Sequence, residues 1–456
     1  MERTPPSKRV SRHAQSMPGC LRQFLTPAAW RQARHGLNPH RRLPRWDFHH
    51  LILVLLALTW SLGDSTPERF EMARGIVALC RPKRRRPGHT VEGFQKALTR
   101  LPLRPLVVLA AAVRGRFAAL LGDDLVVDGF IPLGCDGSRL ECPRTDELLA
   151  RMGRANKTDA APALWVTALV HLTTGVPWSW MLGKGNASER DHLRRLLGTV
   201  PALALVIADA GYHGYDLAAA LLAAETSFVI RMSSTVRLFT DEPRDAERFC
   251  QGRVTYWPKD AQKHGQPPLR LRLIRVRGRR RGRRRGADVW LLTNVLGPKR
   301  LSAAQAARFY RLRWENEGLF RTYKRTLAKV HLVSRTVRTV HREAYGSLLA
   351  CQLLLAQGAW ASRPGRGATI EPIAPCSARQ AIQVIRRELM AAMKADRRAT
   401  YRERLSGCRR ERRQRTSPKQ KRQWPRRTPH QPPKPPRLLT MTDKEKALLS
   451  RLNAVA

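Results

Sequence analysis

The sequence predicts a mixed α/β layer protein with a β-rich insertion, a helical N-terminal region and a basic, Pro-rich C-terminal tail. Three observations predict it. From Leu125 to Met232 the apolar pattern reads strand, hairpin, helix, strand, helix, strand. From Trp46 to Leu121 the apolar spacing is helical. From Leu269 to Arg277 apolar and basic residues alternate, as they do in an exposed strand.

Composition narrows the partners. The chain has 456 residues, enough for two or more domains and a substantial core. It carries 85 Lys and Arg against 35 Asp and Glu, a formal charge of +50. A compact protein with that charge needs a polyanion nearby, and nucleic acid is the obvious one. The basic runs do not form amphipathic helices, which argues against a membrane surface. Arg far exceeds Lys, which suits bidentate phosphate contacts, although a GC-rich coding sequence gives the same bias. Eight cysteines are scattered without a C-x-x-C pair, so neither a zinc site nor a disulfide framework is expected. Such thiols suit a reducing compartment, and the expected location is the cytoplasm, on the nucleoid. The apolar run Leu51–Leu62 is too short to span a bilayer and too far from the start for a secretory signal, so it reads as a buried helix.

The elements follow in order. Residues 1–45 are basic, with Pro5, Pro6 and Pro18, and are expected to be loosely ordered. Residues 46–124 form a helical domain with a positive surface, for which DNA binding is the expected role. Within it, Ser65 to Glu68 resembles a capped helix start with Pro67 in the first turn. Residues 125–233 hold the first part of the core. Phe130–Cys135 is strand-like and leads to Asp136. Leu164–Leu172 and Val176–Leu182 form a hairpin through Gly175. Ser188 opens a helix to about Leu197. Leu203–Ala208 is a continuous apolar run, the mark of a strand buried on both faces, and leads to Asp209. A helix from Tyr215 to Ala224 and a strand at Phe228–Met232 follow.

Residues 234–300 are the insertion, read as a β-hairpin with the arginine cluster of 278–286 at its tip. That cluster is either a phosphate-contacting element or a polybasic loop without a specific role. Residues 301–360 supply the last helices, and residues 361–456 a basic, Pro-rich tail expected to be disordered.

Chemistry concentrates at three places. Read as one helix, residues 308–324 put Tyr310, Arg313, Glu317 and Lys324 within a sector of roughly 60°. On spacing alone this is also what a solvated face with weak ion pairs looks like. Asp136 stands at a strand exit before Gly137, and Asp209 at the exit of the most buried strand. Taken singly, an Asp there is more often a turn residue than a ligand. If the two strands are neighbours the carboxylates come together, and Glu317 can complete the cluster. One carboxylate pair at ~4 Å costs about 4 kcal/mol at an effective dielectric of 20, so a cation is required. Oxygen-only ligands select a hard ion, Mg²⁺ or Mn²⁺, and two such ions would activate a nucleophile and stabilise the leaving oxygen of a phosphodiester. Arg313 and Lys324 would hold phosphates beside them. Asp123, Asp124, Asp128 and Asp216 compete for these roles. Glu315 is poorly placed, about 160° around the helix from Glu317.

The spacing of Tyr310, Arg313, Glu317 and Lys324 resembles the signature of IS4-type DDE transposases. Asp136-Gly-Ser and Asp209-Ala-Gly-Tyr are similar to that family's first two acidic motifs, in the right order. The resemblance covers residues 125 to 360. It implies an RNase H-like core with a β-rich insertion between the second Asp and the Glu. It also implies that Asp136, Asp209 and Glu317 are catalytic and bind two Mg²⁺ ions, for which Mn²⁺ substitutes. The implied reaction is metal-dependent cleavage at transposon ends followed by strand transfer, cut-and-paste, commonly through a hairpin. The implied partner is double-stranded DNA, bound by a homodimer, with no membrane. Tyr310, Arg313 and Lys324 would touch DNA. Trp290, beside Leu-Leu-Thr293, would stack on a flipped base, or else packs in the sheet core. Two rivals remain: a non-catalytic DNA-binding protein on the same fold, and an RNase H-like nuclease without strand transfer.

Overall fold

The fold was taken from a computed structural model. It describes the chain except residues 1–15, 36, 38–45, 82–86, 154–159, 241–248, 279, 282–283, 286, 329–330, 364–375, 392–400, 407–434 and 456.

Six helices open the chain: α1 (Met17–Phe24), α2 (Pro27–Arg34), α3 (Phe48–Trp60), α4 (Thr66–Cys80), α5 (Val91–Arg100) and α6 (Arg104–Leu121). Their starts are written in the sequence. Ser16, Thr26, Asp47, Ser65 and Thr90 each accept a backbone N–H with their side chains. Ser65 and Glu68 close a full capping box. Gly122 ends α6 at φ 55°, where a residue with a Cβ is strained.

The mixed region follows: β1 (Ile131–Glu141), α7 (Asp146–Arg151), β2 (Ala163–His171), β3 (Val176–Lys184), α8 (Glu189–Leu196), β4 (Ala204–Ala208), α9 (Tyr215–Ala223) and β5 (Ser227–Arg231). The insertion holds β6 (Arg237–Phe239), β7 (Gln251–Tyr256), α10 (Lys259–Lys263), β8 (Leu269–Val276), the two short strands β9 (Arg280–Arg281) and β10 (Arg284–Arg285), and β11 (Val289–Thr293). The chain ends with α11 (Ala303–Leu312), α12 (Trp314–Arg321), α13 (Val337–Ala361), α14 (Ala378–Ala391), α15 (Tyr401–Ser406), β12 (Arg437–Leu439) and α16 (Asp443–Val455).

The hydrogen-bonded strand order is β12-β6-β7-β8-β11-β5-β4-β1-β2-β3. β1, β4 and β5 are mutually parallel, and β2 pairs antiparallel with β3. This is the RNase H-like mixed core that the resemblance implies, with the β-rich insertion adding antiparallel strands beyond β5.

The chain divides into two compact units. The first comprises Met1–Leu125, Gly137–Ala187 and Glu315–Glu411. Its axis is α13, which packs on α3, α6 and β3 and is buried along nearly its whole length. α6, extended to Leu125, is apolar and long enough to cross a membrane by composition, but Leu106, Leu109, Val113 and Phe117 turn it into this core. At Gly346 the helices α13 and α3 come so close that an added Cβ would lie 2.6 Å from Leu55 Cδ2.

The second unit comprises Val126–Asp136, Ser188–Trp314 and Arg412–Ala456. Its centre is β4, five consecutive buried apolar residues flanked by β1 and β5. Phe130, Phe228 and Phe309 are fully buried within it.

Two terminal expectations changed. Residues 1–45 were expected to be loose, yet α1 and α2 form there, each with a side-chain cap and a Pro in the first turn. Their caps outweigh the basic composition. The tail also contains α14, β12 and α16, and β12 pairs with β6. The most Pro-rich part of the tail lies outside the described residues.

Candidate active site

Register places the first two acids. β1 runs parallel to β4 with Cys135 opposite Ala208. The next residues, Asp136 and Asp209, therefore follow abreast on adjacent strands, whose backbones are typically roughly 4.8 Å apart. Asp209 begins where β4 ends, as expected. Asp136 does not stand at a strand exit, because β1 continues through Gly137 to Glu141. Asp136 instead marks the position where β1 outlasts β4. Gly137 is part of an extended strand and makes no sharp turn.

A third residue joins the row. β4 and β5 are parallel with Ala208 opposite Ile230, so Arg231 is the neighbour of Asp209. Arg231 Nη2 donates to Asp209 Oδ1 at 2.9 Å. Arg313 Nη1 lies 3.8 Å from Asp209 Oδ2. Burial raises the Asp209 pKa, but the Arg231 and Arg313 guanidinium groups outweigh it and hold the carboxyl below its ordinary range. Arg231 was not among the residues singled out from the sequence. Its only signal was a lone Arg closing the apolar strand Phe228–Ile230.

Arg313 is 7% exposed, and its guanidinium lies 5.6 Å from the Tyr310 ring and 4.9 Å from the Trp314 ring. Burial pushes the Tyr310 phenol pKa up, against the charges of Arg313 and Arg231. The Nε atoms of Arg231 and Arg313 are buried and have no acceptor among the described residues. Two guanidinium groups thus retain unused donors beside the acids.

The single helix expected over 308–324 is broken. α11 ends at Leu312, Arg313 forms a turn, α12 follows, and Thr322–Thr326 is a π-helical turn. The Arg313 N–H bonds back to the Tyr310 carbonyl at 3.2 Å, tightening the backbone there. Tyr310 and Arg313 belong to the second unit, Glu317 and Lys324 to the first. Glu317 is exposed in the first turn of α12. Lys324 is half-buried in the π turn, and burial lowers its pKa against the charge of Glu141. Among the described residues no group of three His, Cys, Asp or Glu side chains is arranged to hold a metal ion.

Trp290 is 3% exposed in β11. Its ring lies 6.1 Å from Phe249 and 5.4 Å from the Arg275 guanidinium. Of the competing acids, Asp128 is ion-paired with Arg308 and Asp124 with Arg363. The insertion hairpin forms as expected: β8 pairs with β11, and Arg281 pairs with Arg284 near the tip. Residues 279, 282, 283 and 286 of the arginine cluster lie outside the described residues.

Residues 135–353 match the family described as transposase DDE domain. No curated protein matches the chain. Among solved structures, the chain is similar to a piggyBac transposase synaptic complex with hairpin DNA, determined by cryo-EM. The identity is 12%, the coverage 89% of this chain and 88% of that one, and the TM-score 0.41. The matched segment begins one residue before Asp136 and includes Asp209, Arg313 and Glu317. That match identifies residues 135–353 as similar to the transposase DDE domain, which supports an enzyme of DNA phosphodiester hydrolysis and transesterification.

Proposed function

We propose that the protein is an IS4-type transposase that binds double-stranded DNA, cleaves it at the ends of a mobile element, and transfers those ends to a target. The observation that carries this reading is the row formed by Asp136 and Asp209 at neighbouring parallel strands inside the matched domain. Two carboxylates brought together on adjacent strands would repel, by about 4 kcal/mol were they ~4 Å apart at an effective dielectric of 20. The Arg231 and Arg313 cations offset that in this state.

The donor set fits a hard divalent cation. Asp136 and Asp209 offer only oxygens, and the family signature supplies a third carboxylate in Glu317. Mg²⁺, with Mn²⁺ as substitute, would polarise a scissile phosphodiester and lower the pKa of a bound water or 3′-hydroxyl when bound. The protein's own part is positioning. Asp136, within β1, and Asp209, just past the end of β4, would hold the cations. Arg313 and Lys324 take phosphate oxygens, and the unused Nε donors of Arg231 and Arg313 suit that role. Tyr310 contacts a phosphate beside Arg313. Glu317 is assigned from the signature alone.

Hairpin formation at the cleaved end, with Trp290 as its stacking residue, is the finer part of the reading, together with assembly as a homodimer on DNA in the cytoplasm. Trp290 would have to leave its buried place to stack on a base. The experiment uses the full chain with a duplex carrying the element's terminal repeats. Nicking and joined products that require Mg²⁺ support transposition. Nicking without joining points to the nuclease rival, and binding without nicking to the non-catalytic one.

A further inference from the structure

A second basic site lies far along the sequence from the acids, within the first unit. The helices α1, α2 and α3 and the end of α4 enclose a pocket of about 380 Å³. Leu21 and Leu25 are buried beneath it. Arg22, Arg31, Arg34 and Arg81 line it, with Trp30 and His49 as aromatic walls. The two rings lie 4.7 Å apart, tilted by 44°.

The arginines arrive from separate segments. Arg22 closes α1, Arg31 and Arg34 share the last turn of α2, and Arg81 caps α4. Arg81 pairs with Asp47 at 2.7 Å. Among the described residues no carboxylate pairs with Arg22, Arg31 or Arg34, and all three are exposed. A solvated helix face spreads its charges outward, whereas here they converge on an apolar concavity. Several like charges around one apolar concavity favour an anion there. His49 registers the same field: burial lowers its pKa first, and the charges of Arg81 and Arg34 add to it against Asp47.

An apolar floor, an indole wall and a ring of guanidinium groups match one chemical unit, a phosphodiester with its attached sugar. Arg forks suit phosphate oxygens, and Trp accepts a sugar or base face. We propose that this pocket is a DNA-backbone site, in which Arg31 and Arg34 bind phosphate and Trp30 packs against the adjoining nucleotide. The assignment rests on the reading that the chain binds DNA, and it gives α1 and α2 a share of the contact.

The test measures binding of the full chain to a fluorescent DNA duplex by anisotropy across a series of salt concentrations. Arg31 and Arg34 are exposed, so Arg31→Ala/Arg34→Ala leaves the packing intact, which a thermal melt verifies. The expected result is at least tenfold weaker binding at low salt and a salt slope reduced by about two. Trp30→Ala is expected to weaken binding while leaving the slope unchanged. Wild-type binding with an unaltered slope in the double variant overturns the pocket assignment and leaves the DNA reading standing. Absence of wild-type binding removes both. Binding of phosphatidylserine vesicles that the double variant loses, with DNA binding unchanged, also overturns it and makes the pocket a lipid headgroup site.

Discussion

Arg231 Nη2 stands 2.9 Å from Asp209 Oδ1, so a cation of the protein itself is paired with this carboxylate. The pair follows from register, because β4 and β5 end side by side. The Arg231 guanidinium occupies one oxygen of the carboxylate that the proposed function assigns to a divalent ion. On the proposed reading, a metal ion bound at Asp209 would displace Arg231, whose guanidinium would then be available to a phosphate.

Arg231→Gln should therefore raise the Asp209 pKa toward or above 3.8, its ordinary value. The sign follows from linkage: a depressed carboxyl pKa contributes stability above the unfolded value, lost as pH falls through the folded value. Carboxyl carbon NMR titration reads the shift. An unchanged Asp209 titration in the variant would mean that the ion pair does not set it.

His171 should make the protein acid-labile. It is fully buried, its Nδ1 2.8 Å from Thr174 Oγ1 and its Nε2 3.1 Å from the Leu125 carbonyl oxygen. Burial lowers its pKa from 6.5 to about 4. The neutral ring thus contributes about 3 kcal/mol above pH ~6.5, and that contribution fades as pH falls toward ~4. Chemical denaturation at stepped pH should show this loss, and His171→Gln should flatten it. A wild-type stability independent of pH across that window would contradict the account.

Gly346→Val should destabilise the protein by about 1–3 kcal/mol, since its Cβ would meet Leu55 at 2.6 Å. The urea midpoint measures it. A neutral outcome would mean that α13 and α3 separate at little cost.

Trp290→Ala should cost about 3–5 kcal/mol in stability, as loss of a buried aromatic does. Trp290→Phe keeps most of the packing and separates the two roles. If Trp290 also stacks on an extruded base, the Phe variant should nick normally and form fewer hairpins. Equal rates for both steps would leave Trp290 as a core residue alone.

Much of this was legible because local patterns agreed with the fold. The hairpin β2–β3, the capped start of α8 and the buried run of β4 stand within a residue or two of their expected places. Register was not legible, since nothing in a sequence says which strand ends lie abreast. That is why Arg231 escaped notice and why Asp136 read as a strand exit, when a longer β1 simply passes it. The broken helix at Arg313 also escaped, because the apolar spacing through 308–324 is continuous. At the break the Arg313 side chain lies beside Asp209 and two aromatic rings. The pocket arginines were hidden by counting: among so many basic residues only the fold shows which ones converge.

The most direct measurement of the central claim is single-turnover cleavage of terminal-repeat DNA by Asp136→Asn, Asp209→Asn and Glu317→Gln, with DNA affinity measured alongside. The account expects each variant to cut about 100- to 1,000-fold more slowly on the scale of lost electrostatic catalysis, while binding DNA within about threefold of wild type. Cleavage at an undiminished rate by either Asp variant would contradict it.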